Sequence, residues 1–139
     1  MSITATPAAP APATVSASRQ DVAAHLADLL NLVALGKGGE AFAKYYADDV
    51  VMRENEHPPT VGFQANLQRE QAMWATVARF EEFTILASGT SPEHSFYESI
   101  SRYVDTAGKA HRIRQVAIAH WREGRIIDER FVYDSPAVV

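Results

Sequence analysis

From Phe83 to Tyr133 the chain repeatedly alternates apolar with polar residues, broken by short turn-forming words, and a period of two is the signature of strands. The segments are Phe83–Ala87, Ser95–Asp105, His111–Trp121 and Arg125–Tyr133, with Thr106-Ala107-Gly108-Lys109 and Arg122-Glu123-Gly124 as turns between the last three. Strands joined this tightly run antiparallel. Upstream the period is helical. Val22, Leu26, Leu29, Leu30 and Val33 predict an amphipathic helix that is capped at Ser18, carries Asp21 at its third position and ends near Gly36-Lys37-Gly38-Gly39. A shorter helix through 40–46 and a strand Val50–Glu54 follow. Pro58-Pro59 makes 55–60 a loop, because proline cannot donate to a ladder. Phe63, Leu67, Trp74, Val77 and Phe80 predict a third helix from about Gly62 to Arg79. Helix, helix, strand, helix and four antiparallel strands make an α+β fold with the helices gathered on one face of a curved sheet.

Length and charge narrow the function. A chain of 139 residues fits one domain, expected over 18–139, behind an uncharged Ala/Pro-rich segment 1–17 read as a solvated tail without the basic and apolar regions of a signal peptide. The absence of cysteine excludes a thiol nucleophile and a thiolate metal site. A net charge of −4 argues against nucleic acid as a partner. No apolar run reaches the ~20 residues of a membrane span, so a cytoplasmic domain is expected. The five histidines show no ligand spacing, and the glycines at 36–39 follow a helix rather than open one, so neither a metal nor a cofactor is expected.

Alternation also sorts side chains by face. Val50, Met52 and Glu54 share one face of the first strand, which sets a carboxylate at the end of an apolar row. Burial would raise its pKa and suit it to general acid–base work; solvent or an arginine partner at the strand end would leave it structural. In the last strand Ile127, Glu129, Phe131 and Tyr133 oppose Asp128, Arg130 and Asp134. In the strand before it His111, Ile113, Gln115, Ala117 and Ala119 oppose Arg112, Arg114, Val116, Ile118 and His120.

The element order, with Tyr46-Ala47-Asp48-Asp49-Val50-Val51, a Gly62 opening the third helix, and His120-Trp121-Arg122-Glu123-Gly124-Arg125-Ile126-Ile127, resembles the nuclear-transport-factor-2-like superfamily over roughly residues 19–134. Within it the SnoaL-like polyketide cyclases and ketosteroid isomerases look closest. The resemblance implies a cone whose sheet wraps a pocket. It places Glu54 where ketosteroid isomerases carry their carboxylate base, but their two oxyanion donors fall on Leu30 and Ala119, which donate nothing. Phe131 stands where limonene epoxide hydrolases have an aspartate. The implied catalytic set is Glu54 with Glu129 and Tyr133. The implied substrate-binding set is Met52, His57, Trp74, His111, Gln115, Ala117, Ala119 and Phe131. Glu129 has its own structural alternative, an arginine partner across the sheet. The expected function is cofactor-independent isomerisation, cyclisation or dehydration of a small hydrophobic carbonyl or hydroxyl compound. The alternative is a non-catalytic binding or interaction domain. The outer sheet face, with Val116 and Ile118 among charges, is the expected homodimer surface.

Overall fold

The computed structural model describes residues 21–134 and the backbone of 137–138, so the expectations for the segment 1–17 and for a cap at Ser18 fall outside the described residues. Helix α1 (Val22–Ala34) is capped by Asp21, whose carboxylate accepts from Ala24 N at 3.1 Å. Asp21 is therefore the cap itself rather than a residue of the first turn. Val22, Leu26, Leu29 and Leu32 face inward, and each leucine so buried contributes about 1.5–3 kcal/mol. The helix ends where Gly36 turns left-handed at φ 77° and Lys37 N donates back to Leu32 O. Helix α2 (Gly38–Tyr45) is tied to α1 through Asp28, which accepts from Lys44 at 2.7 Å and from the Tyr45 hydroxyl at 2.5 Å.

Strand β1 (Tyr46–Glu54) begins four residues earlier than its apolar core suggests, and Tyr46 belongs to it rather than to the helix. A register irregularity between Tyr46 and Val51 absorbs the polar Asp48-Asp49 pair. β2 (Thr60–Val61) folds back on β1, and Gly62 then opens α3 (Phe63–Trp74) at φ 99°, ψ 152°, a backbone region essentially reserved for glycine. The third helix stops at Trp74, short of the expected Arg79. Val77 and Phe80 lie instead on β3 (Val77–Thr90), a longer strand than the Phe83–Ala87 core predicted.

β4 (His94–Asp105), β5 (Ala110–Arg122) and β6 (Arg125–Tyr133) continue the antiparallel run. The sheet order is β2-β1-β6-β5-β4-β3, with β1 parallel to β6 and a short β7 (Ala137–Val138) against β5. β3 forms the far edge, and its pairing with β4 shifts register three times along its length. The core joins α1 and α2 to Val50 and Met52 of β1, Ala119 and Trp121 of β5 and Ile126 of β6. The inward position on β6 falls to Ile126 rather than Ile127. The register slips between His120 and Trp121, so Ile127 is the extra residue of a bulge and the face inverts there. No helix among the described residues is long and apolar enough to cross a membrane.

Candidate functional site

Strand pairing lays the inner face out as a grid. Glu54 pairs with Phe131, which pairs with Ala117; Met52 pairs with Glu129, which pairs with Ala119; Tyr133 pairs with Gln115, which pairs with Ser99. The predicted carboxylates Glu54 and Glu129 are therefore diagonal neighbours on one face, although β1 and β6 are far apart in the chain.

Their environments differ sharply. Glu54 ends β1 with its side chain about one-third exposed, and both carboxylate oxygens are engaged. Oε1 accepts from the Tyr133 hydroxyl, and Oε2 accepts from Arg69 Nη1 at 2.5 Å. Burial, reinforced by the Glu54 carboxylate, pushes the Tyr133 hydroxyl up to about 12. Arg69 comes from α3. Its guanidinium also lies 3.6 Å from Glu70 and 4.0 Å from Met52 Sδ. Met52, Glu54, His57, Pro58, Thr60 and Arg69, together with Arg53, line a cavity of about 240 Å³.

Glu129 sits behind Met52 with 1% of its surface exposed. The Tyr46 hydroxyl donates to its Oε1. Burial pushes the carboxyl up to about 8; the Tyr46 hydrogen bond and Arg69 pull it down, while Glu70 and Asp128 push it up. At neutral pH Glu129 is thus an uncharged acid. Tyr46 and Tyr97 are held as neutral phenols well above their ordinary range, by burial first and then by Glu129. Glu70 is raised too, chiefly by burial, with Arg69 opposing and Glu54 adding. Glu54, Glu70, Glu129 and the Tyr133 phenol thus share the field of the Arg69 guanidinium.

The other predicted side chains are placed as follows. His57 lines the cavity beside Met52. Ala117 and Ala119 are fully buried in the core, and Phe131 is half-buried against it. Gln115 is half-buried between Ser99 and Tyr133. Trp74 lies elsewhere, its ring over Gly38, where a Cβ would come within 3.0 Å of Cζ2. His111 bonds Asp105 at 2.8 Å and stacks on Tyr103 with centroids 4.7 Å apart, away from the Glu54 cavity.

Sequence reasoning missed Tyr46, Arg69 and Glu70. Tyr46 continues the helical pattern of 40–46, and Arg69 is a polar position of a helix whose pattern is carried by the apolar Phe63 and Leu67. An arginine partner for Glu54 was foreseeable as a class, but nothing in the pattern singled out Arg69. Among the described residues no group of three or more His, Asp or Glu side chains converges as a metal site.

No family model matches the sequence, and no curated protein sequence matches it. Solved structures do. A provisionally named SnoaL-like polyketide cyclase from Mesorhizobium loti superposes with a TM-score of 0.67 at 22% identity, covering 79% of this chain and 97% of the other. An NTF2-like protein of unknown function from Burkholderia pseudomallei gives a TM-score of 0.67 at 12% identity over 79% and 88% of the two chains. A provisionally named isomerase from Rhodopseudomonas palustris gives 0.65 at 12% over 77% and 84%. Strand order, helix placement and these likenesses together show that the chain has the nuclear-transport-factor-2-like fold.

Proposed function

We propose that the protein transfers protons on a small hydrophobic carbonyl or hydroxyl compound held at the Glu54 cavity, with no cofactor. The observation that carries this reading is the placing of Glu54 on a cavity wall between a phenol donor and a guanidinium. In an isomerisation Glu54 would take a proton from the carbon beside the carbonyl and return it to another carbon. The Tyr133 hydroxyl, a neutral donor, and Arg69 would stabilise the negative charge that builds on the oxygen between the two transfers. Behind Met52 the protonated Glu129 keeps that region free of a second anion. The Mesorhizobium and Rhodopseudomonas proteins carry the names of a cyclase and an isomerase, which supports the reaction class.

A second reading has its own observation. Both Glu54 oxygens already accept hydrogen bonds, which suits a fixed binding wall as well as a base. Glu54→Gln separates the two. On a panel of small enones and hydroxy-ketones, catalysis predicts a loss of turnover of roughly 10²–10⁴-fold with ligand binding retained. Turnover unchanged by the substitution sinks the catalytic role; ligand binding without turnover in the unaltered protein supports the binding role.

A further inference from the structure

The outer face of the sheet, opposite α1, holds a second cavity of about 370 Å³, lined by Arg53, His94, Ile118, His120, Asp128 and Arg130. Strand register explains why these side chains meet. His94, His120 and Asp128 form one row across β4, β5 and β6; Phe96, Ile118, Arg130 and Arg53 form the next, across β4, β5, β6 and β1. Arg53 and Arg130 are thus directly paired like charges, an arrangement that disfavours folding unless something neutralises it.

The protein supplies little neutralisation. Asp128 lies 3.3 Å from Arg53. Among the described residues, Arg130 meets only Glu56 at 3.8 Å, and the Glu56 side chain is 85% exposed. Arg53 Nε is buried and has no hydrogen-bond partner among the described residues. At the other end of the cavity the His94 and His120 rings stack at 4.6 Å, and Phe96 stacks beside His94 at 6.4 Å with much of its ring in solvent. His120 also approaches Glu93 at 3.3 Å. A chain of net charge −4 therefore gathers two incompletely paired guanidiniums and two imidazoles around one cavity, with a part-exposed aromatic ring beside the lining His94 and Ile118.

From this we infer that the outer cavity binds a small anion, a phosphate or carboxylate carried on an aromatic body. The planar guanidinium forks of Arg53 and Arg130 match the paired oxygens of either anion, and an imidazole N–H adds a further donor. Ile118 lines the cavity, and its strand partner Phe96 sets a part-exposed aromatic ring beside the lining His94 for the aromatic part to reach.

The test is a calorimetric and amide-NMR titration of the full chain with phenyl phosphate, benzoate, inorganic phosphate and phenol. Phenyl phosphate or benzoate should bind and shift amides of β5 and β6 around Ile118 and Arg130; the stronger of the two identifies the anion. Phenol should not bind. Arg130→Gln should weaken binding by about tenfold, the scale of a lost charge-assisted pair. Phe96→Ala should weaken phenyl phosphate while sparing inorganic phosphate, and Glu54→Gln should leave binding unchanged. Thermal melts confirm that each variant is folded. The inference is overturned if no anion binds, if phenol binds as well as phenyl phosphate, or if folded Arg130→Gln binds like the parent. It is equally overturned if sedimentation shows a dimer that Ile118→Asp dissolves and phenyl phosphate does not perturb.

Discussion

Replacing Glu129 by Gln removes a titration from the middle of the protein while keeping the side-chain size and an oxygen acceptor for the Tyr46 hydroxyl. In the unfolded chain this carboxyl ionises near 4.5; in the fold it ionises near 8. Below pH 4.5 it is protonated in both states, and its contribution to stability is fully present. As pH rises past 4.5 the unfolded state releases the proton while the folded state keeps it. Stability then falls by about 1.4 kcal/mol per pH unit until the folded carboxyl also ionises near 8. The whole window spans about 5 kcal/mol as an upper bound. Urea unfolding followed by far-UV circular dichroism at pH 5, 6, 7, 8 and 9 reads it directly. The parent should lose several kcal/mol relative to Glu129→Gln between pH 5 and 8, with the difference flat above 9. Subtracting the variant cancels the groups that do not interact with Glu129, leaving its own titration and its coupling to its charged neighbours. A difference constant to within about 1 kcal/mol over that range would show that Glu129 is ionised in the fold and that the argument from burial is wrong.

Removing the hydroxyl by Tyr46→Phe takes away the hydrogen bond that favours the ionised form of Glu129, so the same loss of stability should extend to higher pH, measured by the same denaturation series. Asn66 is fully buried, and its Nδ2 points at Thr60 O, Gly62 O and Val50 O at 3.0, 2.8 and 3.4 Å. Asn66→Ala should cost about 1–3 kcal/mol in urea unfolding by removing the buried amide that bridges the three carbonyls, of which Val50 O and Gly62 O keep a backbone donor. Gly62→Ala meets no atom within 4 Å, yet should cost about 1–3 kcal/mol because its backbone sits at φ 99°. A melting temperature equal to the parent's would refute that assignment.

The parts of the fold that could be read from the residues are those where one period dominates. Leu26, Leu29 and Val33 repeat at helical spacing and nothing contradicts them. The Gly108 and Gly124 turn words bound β4, β5 and β6 with little room for error. The junction after α3 was ambiguous for a physical reason. Trp74, Val77 and Phe80 are three apart, so they satisfy a helix, while Val77 and Phe83 also suit a strand; pairing with β4, invisible locally, decides the matter. Faces were legible only where the register is regular. Glu129, Phe131 and Tyr133 share the inner face, but one extra residue at the β5–β6 bulge sends Ile126 inward in place of Ile127. For the site, alternation set Glu54 and Glu129 each on an apolar row of its own strand, and the family resemblance turned both rows toward one pocket. It could not supply Arg69 or Tyr46, because both reach the carboxylates through packing between elements distant in sequence.

The far edge of the sheet has a consequence for how this protein behaves in company. β3 offers 14 residues of strand on an outer edge, with Phe80 and Leu86 in solvent, which is a template for pairing with another chain. Its register shifts kink the edge; two of the three fall among Arg79, Glu81 and Glu82, where an Arg79–Glu81 ion pair at 2.9 Å sits on the edge itself, and the third falls at Leu86. An approaching strand would meet a kinked ladder and charges it cannot desolvate cheaply. The irregularities that curve the sheet therefore also guard its open side against ribbon-like aggregation.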